Sequence, residues 1–186
     1  IDLDGRIAVA GDKEYRYDYL VLAAGARTSY FGNDQWGEHT FGLKSLNDAL
    51  AIRHHVLESF EKAEMEPDPE KRRTLMTFVV VGGGPTGVEM AGALAELSRH
   101  VLKRNFRNID PGQTRVVLLE GDDRILNTFH ESLSEKGRKQ IEGLGVEVRT
   151  GSMVSGVEAG RIHFGDESLE AGTIVWGAGV EPAEVE

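Results

Sequence analysis

Six residues, Gly82-Gly83-Gly84-Pro85-Thr86-Gly87, join an apolar run, Phe78-Val79-Val80-Val81, to a segment of small and apolar residues from Val88 to Leu97. Glycines at 82, 84 and 87 match the G-x-G-x-x-G spacing. In that spacing the first glycine lets the chain turn, the second lets backbone approach a pyrophosphate, and the third lets helix pack closely on strand. The helix expected after the turn would aim its free N–H groups and the positive end of its dipole at the phosphates. Residues 82 to 87 therefore read as a dinucleotide-binding turn, with Gly83, Pro85 and Thr86 completing the cradle.

The context agrees with this reading. A strand of β-branched residues precedes the turn, a helix follows, and a second strand, Thr114-Arg115-Val116-Val117-Leu118-Leu119-Glu120, ends in an acid. The Glu120 carboxylate is placed to accept hydrogen bonds from ribose hydroxyls and to repel a 2′-phosphate, which favours NAD(H) over NADP(H). Glu120 lies 33 residues beyond Gly87, where about 20 is usual. The excess falls on residues 104–113, a polar stretch with Pro111 and Gly112 that predicts a lengthened helix-to-strand connection. On sequence alone, a glycine turn that merely packs strand on helix, with no ligand, remains the alternative.

Composition narrows the partners. With 31 acidic and 21 basic residues the net charge is −10, the wrong sign for a phosphate backbone, so nucleic acid is not expected. The sequence has no cysteine, which rules out disulfides, thiolate metal sites and thiol redox chemistry within it and fits a reducing compartment. His54 and His55 are adjacent and the other four histidines are scattered, so no zinc spacing arises and no metal is expected. No apolar run approaches the roughly 20 residues of a membrane span, and no signal peptide is visible. Membrane contact is expected only through parts outside this chain.

Two stretches echo each other. Gly5-Arg6-Ile7-Ala8-Val9, a polar turn, and Tyr17 to Ala26 are matched by Gly160-Arg161-Ile162-His163-Phe164, a polar turn, and Thr173 to Val180. Each predicts a short β-meander followed by a buried strand ending in Ala-Gly. The second copy closes the unit opened by the glycine turn. The first has no such opening before it, so the sequence is expected to be a piece of a longer chain. Between the copies, Ser45 and Asp48 suit a helix N-terminus. Leu46, Ala49, Leu50, Ile52, Val56, Leu57 and Phe60 give that helix one apolar face. The charged run from Glu61 to Arg73 reads as a solvated loop. A further helix is expected at 132–143 and a strand at 145–149.

The expected fold is α/β: a Rossmann-like, doubly wound parallel sheet with a small antiparallel β-meander insertion, plus a fragment of a second domain. The expected boundaries are 1–42 for the end of a first domain segment, 43–75 for the linker helix and charged loop, 76–180 for the nucleotide-binding domain, and 181–186 for the return to the first domain.

These residues resemble the two-dinucleotide flavoprotein reductases, in which an FAD domain is interrupted by an NAD(P)H domain of the same fold. Val79 to Glu89 carries the general likeness. Asn105-Phe106-Arg107-Asn108-Ile109-Asp110-Pro111, Val117-Leu118-Leu119-Glu120 with Arg124-Ile125-Leu126, and Leu46-Asn47-Asp48-Ala49-Leu50 are similar to type II NADH dehydrogenases in particular. The resemblance covers essentially the whole chain. It implies hydride transfer from NADH to FAD and reoxidation by quinone, with the chemistry residing in the cofactors. FAD is expected in the intact protein and not in this stretch alone.

The resemblance also assigns residues. Glu89 would lie near the meeting point of nicotinamide and flavin, as the catalytic candidate for positioning or proton traffic; a first-turn glutamate that only complements the helix dipole is the other reading. Gly177, Ala178 and Gly179 would face the nicotinamide, with Trp176 as core packing. Ala24 and Gly25 match an FAD contact that usually has threonine at position 24, and alanine there lacks the hydroxyl. The implied location is cytoplasmic, peripheral on the inner face of a membrane, docked through a part beyond Glu186; the oligomeric state is unspecified. Alternatives are a disulfide or ferredoxin reductase of the same superfamily and, outside enzymes, an NAD(H)-sensing module. The FAD-type tail at the start of the chain argues against a sensor. The missing cysteines argue against thioredoxin and sulfide:quinone reductases, while glutathione-type enzymes, whose cysteines lie upstream, are disfavoured by Glu120 and the 105–111 stretch.

Overall fold

The computed structural model describes residues 1–102 and 105–184. They fall into two compact units, one made of Ile1–Arg27 with the residues from Val180 on, the other of Thr28–Gly179. The second unit is thus inserted, in chain order, within the first.

In the first unit β1 (Ile7–Ala10) and β2 (Lys13–Arg16) form the expected antiparallel hairpin, with Ala10 opposite Lys13 and Gly11 left-handed at φ +60° in the turn. After it, β3 (Ala26–Thr28) pairs with the chain's last strand. The buried strand expected ahead of Gly25 is absent. Residues 17–25 form no strand, and Val21 and Leu22 are 86% and 61% exposed. A continuous apolar run becomes a buried strand only where neighbours pair with it and cover both faces, and no described residue does so here.

The inserted unit opens with the two-residue strand β4 (Phe41–Gly42) and the helix α1 (Leu46–Met65). The cap is the one the sequence predicts. Ser45 Oγ accepts the Asp48 N–H at 3.1 Å, and the Asp48 carboxylate accepts the Ser45 N–H at 2.7 Å. Ile52, Val56, Phe60 and Ala63 form the buried stripe. Leu46 and Leu50, expected on that face, are exposed; at 100° per residue they lie roughly 80° and 120° around the helix from Val56. The expected loop at 61–73 is instead mostly helical. Its first residues, rich in Glu, Lys and Ala, continue α1, and α2 (Pro69–Leu75) follows with Pro69 at its first position and Asp68 as its cap.

The central sheet is parallel, with β5 (Thr77–Val81) at its middle. From β5 the chain runs through α3 (Pro85–Glu96), β6 (Arg115–Leu119), α4 (Glu131–Gly143) and β7 (Val146–Arg149). A three-stranded antiparallel meander follows, β8 (Val154–Glu158), β9 (Arg161–Phe164) and β10 (Glu167–Glu170), before β11 (Thr173–Trp176) rejoins the sheet and β12 (Val180–Pro182) pairs with β3. Strand order is β4-β11-β5-β6-β7, with Val80 opposite both Leu118 and Val175.

Alternation along β5 sends side chains into two cores. Phe78 and Val80 join Phe60, Ala91, Leu94 and Ile141 on the helical side, whereas Val79 and Val81 join Val157, Ile162, Phe164 and Trp36 on the meander side. Each fully buried aliphatic side chain there contributes roughly 1.5–3 kcal/mol. The α/β architecture with an inserted meander is as the sequence predicts, and the meander forms the layer that covers the second face. β6 leaves β5 on one side and β11 returns on the other, so the strand order reverses between β5 and β11. A crevice at the carboxyl ends of such strands is where open α/β sheets bind ligands.

Among the described residues, no helix is long and apolar enough to cross a membrane. Arg104, at the start of the expected 104–113 connection, lies outside the described residues, as do the last two residues of the expected 181–186 return.

Candidate dinucleotide-binding site

The three glycines of the spacing are required for different reasons. Gly82 has φ +105°, and a Cβ there would lie 2.6 Å from the Ala178 Cα. A Cβ on Gly87 would fall 1.8 Å from the Gly82 carbonyl oxygen. Both positions are closed to any side chain. Gly84 is different, with φ −70° and ψ 176°, ordinary for any residue, and a Cβ there would meet nothing within 4 Å. No contact among the described residues explains the glycine at 84, and it lines a cleft.

Gly84, which lines that cleft, is also the N-cap of α3. Ser45, Asp68 and His130 cap α1, α2 and α4 with side-chain acceptors, whereas Gly84 gives α3 no side-chain cap, and its first turn carries no acid. Pro85 occupies the first helical position, where its missing N–H costs nothing. Uncapped N–H groups and an unneutralised dipole favour an anion.

Glu120 stands just beyond β6. Its Oε2 accepts the Gly83 N–H at 2.5 Å and its Oε1 accepts the Asp122 N–H at 2.8 Å. The Gly83 carbonyl in turn accepts the Leu126 N–H at 2.7 Å. The carboxylate therefore fixes the glycine turn, a role that spacing alone does not reveal, and each oxygen keeps a further acceptor direction.

The cleft measures about 540 Å³, and Gly82, Gly84, Glu120, Gly177 and Ala178 line it together. This is within the ordinary range for a small-molecule site. Trp176, 3% exposed, forms part of its wall; its indole Nε1–H donates to the Ser29 carbonyl at 2.8 Å, and its ring packs on Tyr30 and Trp36 at 5.3 and 5.4 Å. Phe31, Asn33, Trp36, Asn127, Ser152 and Met153 also line the cleft. The sequence reading missed these six, which come from loops and a short 3₁₀ segment that carry no motif. Gly179 lies behind the wall, where a Cβ would meet the Phe31 ring at 2.6 Å, and its carbonyl accepts the Ser29 N–H at 3.1 Å.

Other candidates are not among the lining residues. Pro85, Thr86 and Glu89 are exposed and do not line the cleft, and Gly83 and Gly87 are buried beneath it. Glu89 is the fifth residue of α3, beyond the first turn that the dipole reading assumed. Ala24 and Gly25 belong to the other unit, both exposed, Gly25 at φ +81°. No group of three or more His, Asp or Glu among the described residues is arranged to hold a metal ion.

The sequence profile of the pyridine nucleotide-disulphide oxidoreductases matches residues 2–186. A type II NADH:quinone oxidoreductase of Mycobacterium tuberculosis is 42% identical over all of this chain and 42% of its own length. An external alternative NAD(P)H-ubiquinone oxidoreductase of Arabidopsis thaliana mitochondria is 36% identical over 88% of this chain and 29% of its own. The chain thus spans less than half the length of these relatives. Among solved structures, NDH2 from Plasmodium falciparum in complex with NADH superposes with a TM-score of 0.84 at 28% identity, over 92% of this chain and 36% of that one. By sequence and by fold, the chain belongs to the pyridine nucleotide-disulphide oxidoreductase family.

Proposed function

We propose that this chain supplies the NADH-binding part of a flavoprotein that passes hydride from NADH to FAD and electrons on to quinone. Relatives named as NADH:quinone and NAD(P)H-ubiquinone oxidoreductases, and a structural neighbour in complex with NADH, support the reading. One observation in the chain itself carries it. The glycine at 84 answers to no contact within the protein and faces open space at the uncapped start of α3, where a pyrophosphate would need room.

The residues then have distinct tasks. The backbone from Gly82 to Gly84 and the first-turn amides of α3 at Thr86 and Gly87, which follow Pro85, would receive the pyrophosphate. Glu120 would take the ribose hydroxyls with the acceptor directions left by Gly83 and Asp122. Gly177, Ala178 and Gly179 would hold the nicotinamide end. Glu89 would orient the ring or carry a proton beside it, and Ala24 and Gly25 would contact FAD. When bound, FAD accepts the hydride and releases electrons to quinone. The intact protein would work in the cytoplasm, attached peripherally to the inner face of a membrane through parts outside this chain.

Titration calorimetry with NADH tests the reading. The unmutated chain is expected to bind NADH, and Gly84→Val to abolish binding while the fold remains. Undiminished NADH affinity in Gly84→Val would overturn it.

A further inference from the structure

The amino ends of β5 and β6, opposite the ends that line the nucleotide cleft, border a second cavity of about 680 Å³. Its lining contains four arginines, Arg72, Arg73, Arg107 and Arg115, against a single carboxylate, Asp110. In a chain of net charge −10 such a concentration of cations stands out.

The four are not equivalent. Arg115 grips Glu147 with Nε and Nη2 at 2.9 and 3.1 Å, and Arg73 reaches Glu70 at 3.0 Å, so a carboxylate balances each. Arg72 is half-buried and donates through Nε and Nη2 to the Glu66 carbonyl, at 3.1 and 2.6 Å. That contact fixes the guanidinium without neutralising it. Arg107 has no ion-pair partner among the described residues, yet its position is set. Its backbone N–H and those of Asn108 and Ile109 all donate to the Glu64 carboxylate, which occupies that carboxylate's lone pairs and leaves its charge to act on Arg72. Asp110 likewise accepts the Gly112 N–H at 2.9 Å.

Two guanidiniums that close no ion pair at bonding distance therefore border one concave site, Arg72 fixed through its bonds to the Glu66 carbonyl and Arg107 anchored at its backbone with its side chain exposed, and both keep donors unused. A planar fork of N–H donors matches phosphate oxygens. We propose that this cavity binds a small soluble anion bearing two or more phosphoryl groups, at a site separate from the dinucleotide cleft. Its concave outline, set between the start of β5, the start of β6 and α2, fits a small molecule better than a flat membrane surface, and the net charge of the chain disfavours a nucleic acid.

The test uses inorganic pyrophosphate as probe and site-resolved NMR of the 186-residue chain, because pyrophosphate is also expected to visit the glycine turn. Saturable shifts are expected at the amides of Arg107, Asn108 and Gln113. Arg107→Gln, which removes no side-chain hydrogen bond or ion pair among the described residues, should weaken that response, and R72Q/R107Q should weaken it by about tenfold or more. R138Q/R161Q, with the same change in net charge elsewhere, should leave it intact. Shifts confined to residues 82–87, equal weakening in both double variants, or a response only to phosphatidylcholine vesicles containing phosphatidylglycerol would each overturn the proposal.

Discussion

The Gly83 amide donates to Oε2 of Glu120 at 2.5 Å, so the acid at the end of β6 holds the turn at the end of β5. Glu120→Ala then removes two things at once. Loss of the charged acceptor for Gly83 should lower stability by about 1.5–3 kcal/mol, measured by denaturant unfolding. Loss of the negative charge should also lower the preference for NADH over NADPH, measured by calorimetry with both nucleotides. An unchanged preference would remove Glu120 from ribose recognition and leave it a purely structural role.

Gly84 and Gly87 should separate binding from folding. Gly84→Val places a side chain where no protein atom lies within 4 Å, so stability should change by less than about 1 kcal/mol while NADH affinity disappears. Gly87→Ala drives a methyl into the Gly82 carbonyl and should cost about 1–3 kcal/mol or more. Thermal unfolding of the two variants, beside NADH titrations, checks the contrast.

Acid should weaken the fold through carboxylates that include Asp48, Glu64 and Glu147. N–H bonds from Lys44 and Ser45 hold Asp48 below its usual range. At Glu64, burial pushes upward, but the N–H bonds of Arg107, Asn108 and Ile109 outweigh it and the net shift is downward. Glu147 behaves likewise, with Arg115 and Arg149 outweighing burial. A folded-state pKa below the unfolded one means the stabilisation is complete above the unfolded value, roughly pH 4–5, and is lost as pH falls through the folded value. Chemical denaturation from pH 7 to 3 should therefore show stability falling below about pH 5. Glu64→Gln should flatten that fall.

Ser45→Ala should cost about 1 kcal/mol, because it removes the acceptor for the Asp48 N–H in a two-way cap. Urea unfolding of that variant gives the number directly.

How far the sequence disclosed this protein depended on whether the deciding contacts were local. The βαβ unit was readable because β-branched residues 78–81, the glycines and the following small residues all favour the same local structure. The α1 cap was readable for the same reason, since Ser45 and Asp48 sit three residues apart. The run at 61–73 misled because charge and proline suggest solvent, whereas Asp68-Pro69 starts a helix as readily as it ends one. Val21 and Leu22 misled in the opposite sense, because apolar residues state a preference for burial and cannot supply the strands that would bury them. In the cleft, the glycines announced themselves by spacing and Glu120 by its place as the acid that ends a strand. Trp36, Asn33 and Met153 did not, since they reach it from segments far apart in sequence and free of any period.

The hydrogen bond from Ser29 to Gly179 brings together the two termini of the inserted unit. A stretch of some 150 residues that leaves its host and returns within one peptide's reach imposes almost no stretching on the host strands. Such a module can be exchanged for another of its kind by splicing at two adjacent points, which makes hybrid chains a practical engineering goal.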